Sequence, residues 1–166
     1  MAGGRFDPYA ILSALEREYV TYVLIGGLAR VLRGSDELTH GLDLTPKLQP
    51  ETLRRLETAL QSIGARPERG GELSLESHDF TAEPVLALTS DHGEIKVVPT
   101  PAGTRGYEDL HRAASREYLG NRLRAEVSSP GDLVRMLWVL GRDVDARRIE
   151  TMQRVVELDR GLGLEL

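Results

Sequence analysis

The feature that most constrains this chain is a pair of adjacent glycines at the end of a short apolar run. The run Thr21–Ile25 is rich in β-branched and aromatic residues, which favours a buried strand. Gly26 and Gly27 then predict a tight turn into a short helix, because glycine adopts turn conformations without a steric penalty. Leu42–Thr45 predicts a second strand soon afterwards. A strand, a glycine turn, a helix and a strand therefore form one local unit.

Further helices and strands alternate along the rest of the chain. Asp7-Pro8 predicts the start of a first helix, with aspartate as its cap and proline in its first turn. The other predicted elements are a helix over 50–64, strands over 85–88 and 94–98, a short helix over 107–114, a hairpin over 118–127, and two C-terminal helices after Ser129-Pro130 and after Gly141. We therefore expect an α/β (α+β) protein in which helices flank a central mixed β-sheet.

The chain length and the order of these elements predict a single domain. The 166 residues fall in the usual range for one hydrophobic core, and neither a repeat nor a linker interrupts them. We expect one unit over 1–166, with an N-terminal helix over 1–20, a sheet core over 21–127 and C-terminal helices over 128–160.

Composition excludes several classes of protein. No apolar run approaches the roughly 20 residues that a transmembrane helix needs, and the first residues lack the apolar core of a signal peptide. We therefore expect no membrane association and a cytoplasmic location. The chain has no cysteine, which excludes disulfides and thiolate metal sites. Its 4 histidines are scattered without the spacing of a zinc site.

The charge of the chain limits the partners it can have. A net charge of −5 argues against a surface coated overall in nucleic acid, although it leaves room for a local basic groove. Of the 21 basic residues only Lys47 and Lys96 are lysines, so the position of each lysine is informative. A solvated surface of mixed charge accounts for the many arginines.

The chemistry of the chain should lie at the second strand. Carboxylates two residues apart on a strand point to one face, because side chains alternate along a strand. With a third acid on a neighbouring strand, such a pair suits Mg²⁺, which binds carboxylate oxygens and bridges phosphates. A glycine turn lets backbone N–H groups approach the phosphates. In this chain Asp43 supplies one carboxylate, whereas the position two residues before it is Gly41.

Residues 22–44 resemble the minimal nucleotidyltransferases of the AbiEii and MenT toxin type. The resemblance is carried by Val-Leu-Ile-Gly-Gly at 23–27, by Gly34-Ser35 and by Thr-His-Gly-Leu-Asp-Leu at 39–44. It continues in order and spacing through 50–64, 93–103, 106–110 and 130–136, and it covers most of the chain from residue 19 to about residue 145. The resemblance implies the nucleotidyltransferase fold and an activity that transfers a nucleotide from a nucleoside triphosphate with the help of Mg²⁺.

The chain departs from this family pattern at the positions that carry its chemistry. The resemblance implies acids at positions 41, 43 and 96, but only Asp43 is retained, and Gly41 and Lys96 replace the other two. Glu37 stands where relatives often have arginine, and Leu137 stands where relatives often have lysine. We therefore expect neither a metal site nor a required cofactor.

Electrostatics favours this interpretation. Two unit charges about 4 Å apart interact by about 4 kcal/mol at an effective dielectric constant of ~20. An acid at position 96 would attract a dication by about this amount, whereas the Lys96 ammonium repels it. We expect Lys96 to pair with Asp43 and to occupy the place of the metal. The alternative is that Glu94, two residues before Lys96 and on the same face of its strand, substitutes for a missing acid and rebuilds a Mg²⁺ site.

Six residues near the glycine turn are candidates for binding a phosphate or a nucleotide. They are Gly26, Gly27, Gly34, Ser35, Arg30 and Arg33. A structural role explains the first two equally well, since a tight strand-to-helix turn also requires glycine, and surface arginines usually serve solvation. Trp138 lies in an apolar segment of a predicted helix, and we expect it in the core rather than stacked on a ligand.

Two main hypotheses of function follow. The first is a catalytically degenerate nucleotidyltransferase-fold protein, a pseudoenzyme that is a binding or regulatory module for a nucleotide, a nucleic acid or a protein. The alternative is an active nucleotidyltransferase of the toxin–antitoxin type, which transfers a nucleoside monophosphate to RNA or protein with Asp43 and Glu94 holding Mg²⁺. A third option, a homo-oligomeric subunit, depends on the apolar stripe of the last helix, which can equally pack on its own domain; the stripe consists of Ile149, Met152, Val155 and Val156.

Overall fold

A computed structural model of the chain describes residues 5–165, with side chains described over residues 5–161. Within this range the helices are α1 (Pro8–Arg17), α2 (Gly26–Leu32), α3 (Pro50–Ser62), α4 (Tyr107–His111), α5 (Pro130–Leu140) and α6 (Ala146–Glu165). The strands are β1 (Tyr22–Ile25), β2 (Gly41–Pro46), β3 (Arg66–Pro67), β4 (Leu86–Ser90), β5 (Gly93–Val97), β6 (Ser115–Tyr118) and β7 (Arg124–Val127). A short 3₁₀ helix, Asp143–Asp145, joins α5 to α6.

The strands form one mixed sheet with the order β3-β4-β5-β2-β1-β7-β6. β1 pairs antiparallel with β2 and parallel with β7, and β2 pairs parallel with β5. Antiparallel pairs extend the sheet on both sides, β3 with β4 and β4 with β5 on one side and β6 with β7 on the other. The structure confirms the mixed α/β architecture that the sequence predicts.

The central strands lie at the centre of the hydrophobic core. All four residues of β1 are buried, which confirms the buried strand predicted from its composition. β5 and the first part of β2 bury every second side chain, namely Leu42, Leu44, Ile95 and Val97, and Thr45 and Pro46 at the end of β2 are buried as well. Full burial of one such aliphatic side chain stabilises the folded state by about 1.5–3 kcal/mol. The intervening positions at the start of β2 and along β5 are consequently free to line a surface.

Local sequence signals fix the starts of two helices. The Asp7 carboxylate accepts a hydrogen bond from the backbone N–H of Ala10 at 3.1 Å, and the Ser129 hydroxyl accepts one from the backbone N–H of Asp132 at 3.1 Å. Each cap is followed by a proline in the first turn, as predicted. α5 ends at Gly141, whose φ of 62° is the left-handed conformation that glycine adopts most easily.

The expectation that Trp138 lies in the core is wrong. The side chain is 60% exposed, whereas its neighbours Met136 and Leu137 are buried. Successive residues of an α-helix are separated by about 100° around the axis, so the residue that follows a buried position can face solvent. The apolar segment of α5 is wider than the face that it buries.

The apolar stripe of the last helix packs on its own domain. Met152 is fully buried, and Val155 is partly buried against the core. α6 packs against α5, and Met152 and Val155 contact the hydrophobic core of the same chain. Although α6 is 20 residues long, neither it nor another helix of the described part is apolar enough to cross a bilayer.

We expect Ser129→Ala to lower the free energy of unfolding by about 1 kcal/mol, because the backbone N–H of Asp132 would lose the hydroxyl that caps it. Urea unfolding followed by circular dichroism measures the change. Ser129→Asp is the matched control, since aspartate is an equally good cap and should keep stability within about 0.5 kcal/mol of the wild-type value. Equal losses in the two variants would contradict a capping role.

Candidate active-site cleft

A cleft of about 680 Å³ opens where α2 begins, beside β2 and β5. It brings together seven of the residues singled out from the sequence, namely Gly26, Gly27, Arg30, Gly41, Asp43, Glu94 and Lys96. Apolar side chains form another part of its lining, chiefly Val85, Leu133, Met136, Leu137 and Leu140. Charged residues and an apolar surface therefore share one cavity, which is the usual composition of a small-molecule site.

The parallel pairing of β2 with β5 fixes the charged part of the lining. Gly41 is the register partner of Glu94, and Asp43 is the register partner of Lys96. The residues between them on both strands are buried in the core, so these four positions share the opposite face. The prediction that Asp43, Glu94 and Lys96 meet at one face of the sheet is consistent with this register.

The Asp43 carboxylate lies directly against the backbone of the glycine turn. Residue 26 has a φ of 74°, and a Cβ on it would lie 3.0 Å from Asp43 Cγ and 3.1 Å from Asp43 Cβ. A side chain here would strain this φ and would force the Asp43 carboxylate to move. Glycine at position 26 therefore suits both the conformation of the turn and the place of Asp43.

Gly41 is enclosed by the neighbouring strand. A Cβ at residue 41 would lie 2.8 Å from the carbonyl oxygen of Glu94 and 3.0 Å from its Cβ. Because a backbone oxygen cannot rotate away, β5 would have to move before any side chain fitted at this position. The paired strands as they stand fit a glycine here and leave no room for a carboxylate.

Burial raises the pKa of the Asp43 carboxyl, since the loss of water disfavours the charged carboxylate more than the neutral acid. The positive charges of Lys96 and Arg30 oppose this shift, and the negative charge of Glu94 adds to it. The direct ion pair that we expected between Lys96 and Asp43 is not among the contacts of the described side chains. Lys96 is exposed, and its charge acts on the Asp43 carboxyl without a direct ion pair.

Arg30 is held by a bidentate pair with Glu37. Its Nε and Nη2 both donate to the Glu37 carboxylate at 2.9 Å, and the two side chains are 10% and 11% exposed. Ser35 Oγ donates to the same carboxylate at 2.8 Å, and Arg148 Nε lies 3.4 Å from it. Burial opposes ionisation of Glu37, but the hydrogen bonds from Arg30 and Ser35 and the nearby arginine charges lower its pKa overall. The guanidinium of Arg30 is consequently neutralised inside the cleft.

A second charge cluster, which the sequence analysis missed, lies at the start of α6. The side chain of Asp145 is fully buried and accepts hydrogen bonds from Arg142 Nε at 2.6 Å and Arg148 Nη1 at 2.8 Å. Burial again opposes ionisation, and the two arginines lower the pKa of Asp145. The spacing Arg-x-x-Asp-x-x-Arg was visible in the sequence as a run of potential i,i+3 pairs.

Three of the six phosphate-binding candidates lie outside the cleft lining. Arg33 donates instead to the carbonyl oxygens of Ser128 at 3.0 Å and Val127 at 2.8 Å and forms an ion pair with Glu117 at 2.8 Å. Ser35 is buried beside Glu37, and Gly34 precedes it in the same turn. The structure does not bring Arg33, Gly34 or Ser35 to the glycine turn, whereas Gly26, Gly27 and Arg30 line the cleft together.

The carboxylates of the cleft are few. In the part of the chain that the structure describes, no group of three or more histidine, cysteine, aspartate or glutamate side chains is arranged to hold a metal ion. Asp43 and Glu94 are the two acids on the cleft face of β2 and β5, and Lys96 lies beside them on the paired strands.

The chain can be compared with known protein families and with solved structures. No protein-family model matches the chain, and a comparison with curated proteins finds no match. The lincosamide antibiotic adenylyltransferase LnuA with bound lincomycin is 18% identical, with a TM-score of 0.62 over 92% of this chain and 99% of its own. The antibiotic-resistance factor ANT(2'')-Ia is 18% identical in its solution structure, with a TM-score of 0.59 over 95% of this chain and 92% of its own. In complex with adenylyl-2''-tobramycin it is 16% identical, with a TM-score of 0.57 over 95% and 88%.

This likeness shows the fold and nothing finer. The similarity extends over nearly the whole of both chains in each comparison, so it is not confined to one motif. The specific resemblance to AbiEii and MenT toxins stays a prediction. The chain has the nucleotidyltransferase fold.

We expect Asp43→Asn to stabilise the protein at pH 7. The folded-state pKa of Asp43 is raised, so its ionised form destabilises the fold above that pKa, and the effect disappears as the pH falls toward the unfolded value of about 3.9. Thermal unfolding between pH 4 and pH 7 should show a gain from the substitution that is largest at neutral pH and shrinks on acidification. Asp36→Asn, at an exposed position, is the control. A gain that is independent of pH would refute an electrostatic origin.

We expect Glu37→Leu to lower the free energy of unfolding by about 3 kcal/mol, because it leaves the Arg30 guanidinium buried without a partner. The matched control is Glu150→Leu, which breaks a pair with Arg154 whose side chains are 62% and 71% exposed. That pair should contribute less than about 0.5 kcal/mol. Denaturant titration compares the two variants, and similar losses in both would show that burial of the Arg30 pair has no special effect.

Proposed function

We propose that this protein is a catalytically degenerate nucleotidyltransferase-fold protein, a pseudoenzyme, that binds a nucleotide in its cleft without a divalent cation. The observation that carries the proposal is the residue set on the cleft face of β2 and β5, where Gly41 pairs with Glu94 and Asp43 pairs with Lys96. Two of the three positions for which the family resemblance implies an acid thus hold a glycine and a lysine.

These residues do not fit Mg²⁺. The backbone of Glu94 closes the space that a side chain at residue 41 would use, so the carboxylate missing there cannot be restored at that position without moving β5. Asp43 and Glu94 are then the two acids on this face, and the positive charge of Lys96, the register partner of Asp43, acts on the Asp43 carboxyl and repels a dication. We therefore assign no step to a metal ion.

The charges of the cleft support an anionic ligand bound through Lys96. Arg30 is engaged by Glu37, and Arg142 and Arg148 are engaged by Asp145. Lys96 lines the same cleft, is exposed, and has no hydrogen-bond or ion-pair partner among the described side chains. A phosphate oxygen is a strong acceptor for such a group, since a charge-assisted hydrogen bond is roughly twice as strong as a neutral one.

The apolar lining supports a ligand that also carries a base. Val85 and Leu140 give the cleft an open apolar surface, since each is 47% exposed, whereas Leu133, Met136 and Leu137 on α5 line its wall with buried side chains. A nucleotide has this division into an anionic part and a flat, largely apolar part. The structural neighbours LnuA and ANT(2'')-Ia are named as an adenylyltransferase and as a protein in complex with an adenylyl conjugate. An adenine nucleotide is therefore the first ligand to test.

We expect a non-hydrolysable ATP analogue to bind the protein equally well in excess EDTA and in Mg²⁺, with affinities that agree within about twofold. Lys96→Met should weaken binding by about 10- to 150-fold, because the phosphates lose a charge-assisted hydrogen bond worth on the order of 1.5–3 kcal/mol. Isothermal titration calorimetry measures both effects. Lys47→Met is the matched control, since the other lysine of the chain pairs with Glu108 at 3.6 Å outside the cleft lining.

A transfer assay decides between this proposal and an active enzyme. Labelled nucleoside triphosphates are incubated with the protein, Mg²⁺ or Mn²⁺, and RNA or protein acceptors, and transfer is compared with that of Asp43→Ala. We expect no difference between the two proteins. Robust transfer that requires Asp43 would overturn the pseudoenzyme, as would binding that depends on the cation, and would favour the toxin-type enzyme with Asp43 and Glu94 as metal ligands.

A further inference from the structure

A second groove, also of about 680 Å³, lies at the other end of the sheet from the cleft. β1 and β7 are parallel, so their first residues, Tyr22 and Arg124, lie away from the ends that lead into Gly26 and Ser128. Four of the chain's 5 tyrosines line this second groove, namely Tyr19, Tyr22, Tyr107 and Tyr118. We refer to it as the tyrosine groove.

The tyrosines form a floor and a rim. Tyr22 and Tyr107 are only 7% and 8% exposed, whereas Tyr19 and Tyr118 are 78% and 66% exposed. Tyr107 stacks on His111 with ring centroids 5.1 Å apart and an angle of 17° between the planes, which supports the floor. Burial raises the pKa of both floor tyrosines, so the floor stays uncharged. Two aromatic rings on the rim therefore remain open to a ligand.

Three arginines line the same groove. Arg116, Arg122 and Arg124 are all exposed, and none of them forms an ion pair with another described residue. Arg124 is the cross-strand register partner of Tyr118. Two acids also line the groove, namely Glu126, which bonds to His111 and is the cross-strand partner of Arg116, and Glu16, so three arginines stand against two glutamates. The groove is thus locally cationic on a chain whose net charge is −5.

The backbone is strained at the rim. Among the described residues, the non-glycine residues with positive φ are Tyr19 at 53°, Asn121 at 50° and Arg122 at 64°. Tyr19 and Arg122 line the groove, and Asn121 precedes Arg122 in the turn between β6 and β7. Tyr19 ends α1 in the position where glycine is usual, as the bond from the Val20 N–H to the Leu15 carbonyl at 3.1 Å shows.

Local backbone structure sets the conformation of these residues. The Leu123 N–H donates to the Gly120 carbonyl at 2.8 Å, so Asn121 and Arg122 are the central residues of a tight hairpin turn of the kind that takes positive φ at both positions. Glycine or asparagine is the usual residue in such a turn and at a helix end like that of Tyr19. Packing does not explain why a tyrosine and an arginine stand there instead, since both side chains are exposed.

We propose that the tyrosine groove binds single-stranded nucleic acid. Exposed aromatic rings stack on bases of any sequence, and arginines neutralise the phosphates between them. A single strand presents the faces of its bases, whereas a duplex hides them in its own stack, so the two rim tyrosines favour single strands. This proposal is independent of the nucleotide site in the cleft, which lies at the other end of the sheet.

The test uses variants that relieve the backbone strain while they remove the groups that would bind the ligand. In the double variant Tyr19→Gly, Arg122→Gly, glycine suits both positive φ values, so the melting temperature should stay the same or rise. Fluorescence anisotropy with a labelled uridine oligonucleotide of about 12 residues should show affinity reduced by about tenfold or more. The control variant Tyr9→Ala, Arg54→Gln changes an exposed tyrosine and an exposed arginine outside the groove and should change affinity by less than about twofold.

Further measurements test the charge of the groove and its preference for single strands. Affinity of the wild type should fall with salt, and Arg116→Gln with Arg124→Gln should reduce the slope by about 0.7 for each phosphate that is no longer neutralised. A duplex of the same length should bind more weakly. Calorimetry with the ATP analogue should give the wild-type result for the double glycine variant, so that failure in the groove and failure in the cleft are distinguishable.

Several results would overturn the proposal. One is the absence of saturable oligonucleotide binding up to about 100 μM protein, the weak end of non-specific affinity. Others are a double glycine variant that binds like the wild type, a duplex that binds as tightly as the single strand, or a loss of melting temperature that shows the rim residues to be structural.

Discussion

The cleft depends on the contact between the Asp43 carboxylate and the backbone of Gly26. The antiparallel register of β1 and β2 pairs Ile25 with Asp43, so the turn that follows β1 folds directly over this side chain. A Cβ on residue 26 would lie 3.0 Å from Asp43 Cγ, and the φ of 74° adds a conformational requirement. Asp43 is the central acid of the cleft, and burial is the main cause of its raised pKa. The glycine turn thus leaves the space in which this carboxylate lies.

The arrangement that follows from the local pattern was predictable. Composition predicts the strand and helix around the turn, and capping residues predict the helices that start with proline. The alternation of side chains along strands predicts the common face of Asp43, Glu94 and Lys96. Each of these signals extends over a few residues. The nucleotidyltransferase fold was likewise predictable, because the order of strand, glycine turn and second strand is a property of the sequence that the structural neighbours bear out.

What the sequence did not show depends on contacts between distant segments. Glu37 joins Arg30 to Arg148, which is more than a hundred positions further along the chain, and no local pattern indicates that meeting. Arg33 is only three residues from Arg30 and was expected to share its role, yet it binds the β6–β7 side of the sheet. Trp138 was expected in the core because α5 is apolar on more than one face, and composition alone does not say which face is covered. The direction in which each side chain points and how deeply it is buried decided these outcomes, and residue type alone predicts neither.

The two ends of the sheet use left-handed backbone in opposite ways. At the cleft, a side chain on residue 26 would both strain a φ of 74° and crowd the Asp43 side chain, so glycine is the residue that fits best. At the tyrosine groove, a helix end and a hairpin turn set the positive φ of Tyr19 and Arg122, and glycine would be the less strained residue at each. The fold thus determines the backbone conformation in both places, but it does not call for the exposed tyrosine and arginine side chains. We relate those side chains to the ligand proposed for the groove.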